Sequence, residues 1–293
     1  MNKETMIKNK KMLLLFLLLL FSSMCILIFN MNLKEKFTKI HKQRDPQIMK
    51  KYNVIFGGTV RNVEKYIEKG LFDIDRCGNK FNDYAVILYE NDSKDKTRSI
   101  LQKHKKENYH YIFEDNVKEP LRTKRLANGR NKVLEKMREI NKDKYYDYFI
   151  ILDMDNINQT GHFVDSIETC FDYENWDVLT ANSSGIYYDL WALRKKEDME
   201  YDCWEKVNSH PFKMYARMKY VLSKYKNYPE QGLLEVDSAF GGAAIYKIKS
   251  IPSHCKYVGT HPNGHEKCEH VDFNECIKKN GGTIFINTHF LIS

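Results

Sequence analysis

Three observations predict an α/β domain built on a mainly parallel sheet flanked by helices. Short, almost continuously apolar runs ("NVIFGGT", "YAVILYE", "YHYIFED", "DYFIILD", "WDVLTAN") recur between residues 53 and 182, and such runs read as strands buried on both faces. Between them lie "VEKYIEKGLF", "DKTRSILQKHKK", "RLANGRNKVLEKMREI" and "HFVDSIETCFDY", whose apolar residues recur at three and four, the spacing of amphipathic helices. Strand and helix alternate, the pattern of parallel strands joined by crossover helices. Ligands of such sheets bind beyond the carboxyl ends of the strands, and that is where Glu90, Asp153 and Asp155 stand.

Ahead of this region, residues 12–29 carry no charge and only two serines, enough for a short membrane span. No A-x-A-like cleavage pattern follows, so an uncleaved anchor is expected, with 1–11 as a tail, 30–51 as a polar stalk bearing Pro46, and 52–293 as one folded domain. Lysines flank the span on both sides, from Lys3 to Lys11 and from Lys34 to Arg44, so the positive-inside rule does not orient it. The net charge of +8 is spread over many lysines without any nucleic-acid-binding signature, which suits a solvated face near a membrane and excludes a nucleic-acid partner. Of seven cysteines Cys25 lies in the span, and the other six form no C-x-x-C pair, which argues against a zinc ribbon. Those six are compatible with three bridges or with buried thiols.

After about residue 184 the alternation loosens. "SGIYYDLWALRKKED" reads as an aromatic loop, and 211–226 as a helix with apolar Met214, Met218, Val221 and Leu222. "DSAFGGAAIYKI" reads as a strand reached through Gly241 and Gly242, and "CEHVDFNECIKKNGGTIFINTHF" as a charged turn, a short helix and a final strand.

The chemistry gathers in a few stretches. If the "DYFIILD" strand persists through Asp155, its two carboxylates point the same way. They form either a solvated strand end, since burying unpaired charge is costly, or a divalent-metal site. In "ENDSKDKT", Asp92 or Ser93 suits a helix cap, yet the stretch holds more carboxylates than a cap uses. Strand-end carboxylates also accept from base N–H groups and ribose hydroxyls. In "RTKRLANGRN", Arg122, Arg125 and Arg130 are surface cations or partners of a nucleotide diphosphate. The absence of G-x-x-x-x-G-K-[ST] excludes a P-loop.

E-N-D-S-x-D-x-T after an early strand, L-A-x-x-R-N on the next helix and D-M-D after the next strand together resemble the nucleotide-sugar glycosyltransferases of the GT-A fold. Within them, "YYDLWALR" (187–194), "DSAFGGAAIY" (237–246) and "CEHVDF" (268–273) resemble most the fungal (cryptococcal) capsule α-1,3-mannosyltransferase family, from about Val54 to the end. The resemblance implies a sugar, with GDP-mannose favoured over a UDP-sugar, transferred with retention onto a hydroxyl of a glycan or glycoprotein. It implies Mn²⁺ (or Mg²⁺), whose hard character suits oxygen ligands. By analogy Asp153 serves ribose or metal and Asp155 metal; Glu90 and Asp92, with Asp95 near them, serve base and ribose; Arg130 and Asn131 stand by the nucleotide. On the acceptor side, Gly241 and Gly242 allow close backbone approach. Glu269 or Asp237 orients or deprotonates the acceptor hydroxyl, although Glu269 equally suits a helix N-terminus. His270 or His289 completes the metal shell, and Trp191 stacks on a sugar or packs in the core. The anchor then makes a type II membrane protein with a lumenal domain, the cytosol-facing orientation staying open. Two other readings are a D-x-D phosphatase, whose motif normally follows the first strand of its domain, and an anchored carbohydrate-binding protein without activity.

Overall fold

The computed structural model describes residues 37–38, 45, 47–229 and 231–292. The expected tail and anchor, with Cys25 and most of the stalk, lie outside the described residues. Among the described residues no helix is long and apolar enough to cross a membrane. In chain order the elements are β1 (Phe37–Thr38), β2 (Asn53–Val60), α1 (Ile67–Gly78), β3 (Asp83–Asn91), α2 (Thr97–Lys103), β4 (Tyr109–Glu114), α3 (Arg122–Asp143), β5 (Tyr148–Leu152), α4 (His162–Ser166), β6 (Val178–Asn182), α5 (Cys203–Ser209), α6 (Lys213–Tyr220), β7 (Leu233–Glu235), β8 (Ala243–Lys247), α7 (Glu269–Lys279) and β9 (Ile284–Leu291).

The strands form one sheet in the order β1-β7-β9-β6-β8-β5-β2-β3-β4. The half made of β5, β2, β3 and β4 is parallel, as expected from its alternation with helices. The other half corrects the mainly parallel expectation to a mixed sheet. There β8 runs antiparallel between β5 and β6, and β7 runs antiparallel to β9 and β1; only β6 and β9 are parallel. An apolar run says that a strand is buried, not which way it points. Direction comes from the connection, and β8 is reached by a turn at Gly241 and Gly242, both with positive φ, rather than by a crossover helix.

Period-two alternation assigns the core to two faces. Ile55, Ile87, Phe149 and Ile151 pack with Val133 and Met137 of α3. Phe56, Leu88, Ile150 and Leu152 pack on the other face with Leu71 and Ile74 of α1 and Phe163 of α4. Covering both faces removes apolar area from water at about 25 cal/mol per Å², and it explains why these strands carry hardly any polar residue. On α3 the buried positions include Ala127, Arg130, Val133, Leu134 and Met137, so Arg130 lies on the apolar face of its own helix. Gly129 lets that helix approach β3, because a Cβ there would stand 2.6 Å from the Tyr89 ring.

The expected helix over 211–226 is shorter and faces outward. α6 ends at Tyr220, with a 3₁₀ turn over Leu222–Lys224. Phe212, Met214 and Met218 are exposed, while Ala216 is buried. Of the six cysteines beyond the span, Cys255 and Cys276 form one disulfide, and Cys77, Cys170, Cys203 and Cys268 are buried thiols. The actual state therefore lies between three bridges and none.

Candidate functional site

A cleft of about 470 Å³ opens beyond the carboxyl ends of β2, β3 and β5. Its floor is Asp153, Met154 and Asp155; one wall is the first half of α3, with Arg122, Arg125 and Arg130; the other holds Tyr188, Asp189, Trp191, Phe240, Glu269 and His270.

The apolar strand stops at Leu152, one residue before the first aspartate. The Asp153 N–H still donates to the Gly242 carbonyl at 2.9 Å, so the turn before β8 extends the pairing by one residue. Asp155 caps the short 3₁₀ turn Asn156–Asn158, its Oδ1 accepting from the Ile157 N–H at 3.1 Å. The two carboxylates thus lie at the strand end as expected, but a turn, not a continuing strand, positions the second.

Arg130 organises the centre. It is 3% exposed, and it donates from Nε to Glu269 Oε1 at 3.0 Å and from Nη2 to Asp153 Oδ1 at 2.9 Å. Its guanidinium lies over the Phe240 ring, 5.2 Å from the centroid. Nη1 is buried with no hydrogen-bond partner, an orphan donor on a cleft-lining residue. The planar fork explains why arginine stands here: one cation ties α3, the end of β5 and the start of α7 together. Burial pushes the Asp153 carboxyl up to about 7; Arg130 opposes this, and the neighbouring Asp155 reinforces it. His270 stacks on Phe240 at 3.7 Å. Burial, with Arg130 adding, holds the imidazole well below its ordinary pKa, so it is neutral, and neither ring nitrogen has a hydrogen-bond partner.

Several expected ligands have hydrogen-bond or ion-pair partners within the protein and lie outside the cleft. Glu90 is fully buried, ion-paired with Arg98 and capped by the Ser93 N–H. Asp92, at positive φ, accepts from the Asn116 and Val117 amides. Asp95 accepts from the Glu64 and Thr97 amides. None of the three lines the cleft. Asp95, with Ser93 and the amides of Lys94 and Lys96, knits "ENDSKDKT" to Asn62 and Glu64, which sets the wall carrying Arg61. Asn131 exchanges two hydrogen bonds with the Tyr257 backbone and also lies outside the cleft. Asp237 is ion-paired with Lys278 at 3.0 Å, away from the cleft. Gly241 and Gly242 approach protein rather than open space: added Cβ atoms would meet the Ala181 carbonyl oxygen at 2.4 Å and Ile157 Cγ2 at 2.8 Å. His289 lies on β9 and does not line the cleft. Glu269, His270, Arg122, Arg125, Arg130, Asp153, Asp155 and Trp191 are the expected residues that the fold does bring together.

The fold adds residues not singled out from the sequence. Asn91, next to Glu90, lines the cleft in its place. Asp189, in "YYDLWALR", accepts from the Gly241 and Ala192 amides at 3.0 and 3.3 Å, and burial raises its pKa. Its signal was a lone carboxylate inside an otherwise aromatic and apolar motif. Arg61 is a further addition; it and Arg122, which the sequence offers as a diphosphate partner, stand exposed on the cleft lining and form no ion pair among the described residues.

The donor set fits a hard divalent ion. Asp153 and Asp155 each commit one oxygen and keep Oδ2 without a hydrogen bond. No third His, Cys, Asp or Glu joins them in a tight cluster; among the described residues only His254, Cys255 and Cys276 form one, and its sulfurs are in the disulfide. One or two carboxylates with the rest of the shell left to phosphate and water is how Mg²⁺-like ions are commonly held.

No protein-family model and no curated protein matches the chain. Among solved structures it is similar to the mannosyltransferase PcManGT of Pyrobaculum calidifontis in complex with GDP-Man and Mn²⁺: 11% identity over 88% of this chain and 60% of that one, TM-score 0.44. It is similar to residues 1–349 of S. aureus TarS at 16% identity, over 80% of this chain and 57% of that one, TM-score 0.41. With glucosyl-3-phosphoglycerate synthase of Mycobacterium tuberculosis, in complex with Mn²⁺, UDP and phosphoglyceric acid, the identity is 13% over 75% and 65%, TM-score 0.38. The chain spans roughly three fifths of the length of these proteins. At such scores the likenesses carry no weight for the chemistry, which rests on the cleft's own residues.

Proposed function

We propose that the chain is a divalent-metal-dependent glycosyltransferase of GT-A type that moves a sugar from a nucleotide diphosphate to a glycan hydroxyl. The observation that carries this reading is the buried Arg130 fork joining Asp153 to Glu269 beneath a cleft lined by the unpaired Arg61 and Arg122. Exposed guanidinium groups suit a diphosphate. Asp153 and Asp155 would hold Mn²⁺ or Mg²⁺ through their free oxygens, and the bound ion supplies Lewis-acid stabilisation of the departing diphosphate. Arg130 fixes Glu269 through Oε1 and leaves Oε2 to accept a hydrogen bond, or a proton, from the acceptor hydroxyl. Neutral His270 on Phe240 gives an apolar wall that excludes water.

The sequence motifs favour the fungal capsule mannosyltransferase family, hence GDP-mannose and an α-linked product, on a domain anchored by residues 12–29 and facing a lumen. The decisive experiment is nucleotide-sugar turnover by the full chain, with and without Mn²⁺, over GDP-mannose, UDP-glucose, UDP-galactose and UDP-N-acetylglucosamine. Metal-dependent turnover of GDP-mannose is expected. Turnover of a UDP-sugar alone would refute the donor and keep the transferase, while no turnover of any donor would refute the transferase.

A further inference from the structure

Trp191 is a wall of two clefts. Beyond it lies a second cavity of about 620 Å³, whose lining includes Trp204, Glu205, Asn208, His265 and Glu266. Its charge differs from that of the first. Arginines and carboxylates both line the first cleft, whereas the second has two glutamates and no lysine or arginine among its lining residues. A phosphate is disfavoured there by like charge. A neutral, hydroxyl-rich ligand is favoured, because carboxylates and a side-chain amide accept from hydroxyls and an indole offers a flat amphipathic face.

The platform is preorganised by one buried side chain. Asp202, 4% exposed, accepts from Trp191 Nε1 at 3.1 Å and from Arg194 Nη2 at 3.3 Å through Oδ2. Its Oδ1 accepts from the Trp204 and Glu205 amides at 2.9 and 3.0 Å. A single carboxylate therefore fixes the indole of Trp191 and the start of the helix that carries Trp204. Across the cavity Glu266 is held through Oε1 by the Thr123 N–H at 3.0 Å, leaving Oε2 without a hydrogen bond. Rigid aromatic and polar groups lower the ordering cost of binding.

We propose that this second cavity is a subsite for a neutral glycan, with Trp191 and Trp204 as stacking faces and Glu205, Asn208 and Glu266 as hydroxyl partners. Its role as the acceptor subsite rests on the transferase reading; glycan binding itself does not. The test is calorimetric titration of the full chain with α-1,3-mannotriose, maltotriose and chitotriose, and separately with GDP and UDP in the presence of Mn²⁺. At least one trisaccharide should bind, and Trp204→Ala should weaken it about tenfold or more, as truncation of a tryptophan anchor does. Trp204 packs partly on the core, so Glu205→Gln and Asn208→Ala serve as variants that keep the fold, each expected to weaken trisaccharide binding severalfold. Nucleotide binding should be unchanged in all three. No binding of any trisaccharide, or binding unaltered in all three variants, overturns the proposal. Trisaccharide binding without any nucleotide binding keeps the subsite and removes its acceptor role.

Discussion

Replacing Arg130 tests the centre of the site most directly. Its two arms are unequal: Glu269 is 6% exposed at the side chain, and Asp153 is 34% exposed. A charge-assisted hydrogen bond in a dry setting contributes about 1.5–3 kcal/mol, whereas one that solvent partly screens contributes less, nearer the ~0–1 kcal/mol of exposed pairs. Arg130→Lys keeps the charge but not the fork, so one arm survives and the cost is about 1–3 kcal/mol. Arg130→Met leaves Glu269 buried and unpaired, at about 3–5 kcal/mol. At about 2–4 °C per kcal/mol for a domain of this size, Arg130→Met should melt about 6–20 °C below the wild type. Thermal denaturation measures this. A double-mutant cycle with Glu269→Gln should return a coupling of about 1–3 kcal/mol, since the second substitution removes the charge that the first left stranded. An Arg130→Met protein that melts with the wild type, or a cycle with no coupling, would refute the assignment of Arg130 as the bridge.

Asp155→Asn removes a negative oxygen ligand at nearly constant shape and should lower transfer by about 10²–10³; chelation of the wild type should match it, and full chelator-resistant turnover would return both aspartates to a solvated strand end. Glu269→Gln should leave nucleotide affinity intact while transfer falls about 10²–10⁴, read from kcat against nucleotide Kd. Replacing Cys255 and Cys276 together by alanine opens a loop with a sequence separation of 21 and should cost about 3 kcal/mol, seen as a lower urea midpoint with activity retained below it. Burial pushes the Asp75 carboxyl up, but hydrogen bonds from Lys106, Tyr84 and Tyr109 outweigh it and set its pKa below 3.8. A depressed folded pKa contributes stability above 3.8 that is lost as pH falls through the folded value, so Asp75→Asn should flatten the decline in melting temperature below 3.8.

The parallel half of the sheet and the position of its aspartates were legible because both follow from short-range signals: period-two apolar runs, helical spacing, and a carboxylate where apolarity ends. Roles that depend on distant backbone were not. Nothing local to "ENDSKDKT" says that Asp95 will meet the amide of Glu64, or that Glu90 will be taken by Arg98. The L-A-x-x-R-N resemblance set Asn131 beside Arg130 at the nucleotide; on the helix the two point differently, and Asn131 reaches the backbone of Tyr257. Asp237 and Glu269 were equivalent as lone acids near glycines or a helix start. Tertiary packing separated them, giving one to Lys278 at the surface and the other to Arg130 in the interior.

The antiparallel insertion of β8 makes one edge of β5 depend on a strand far along the chain. During synthesis β5 emerges with one neighbour, β2, already available, while its other edge waits for residues 243–247. Until then a fully apolar strand, Tyr148–Leu152, presents unpaired amides and carbonyls, the kind of edge on which nascent chains associate. Asp153 is 23 residues from Arg130 in sequence, whereas Glu269, the partner of the deeper arm of the fork, is 139 residues away. Expressed without residues 243–293, the parallel half is therefore expected to aggregate where the full chain does not.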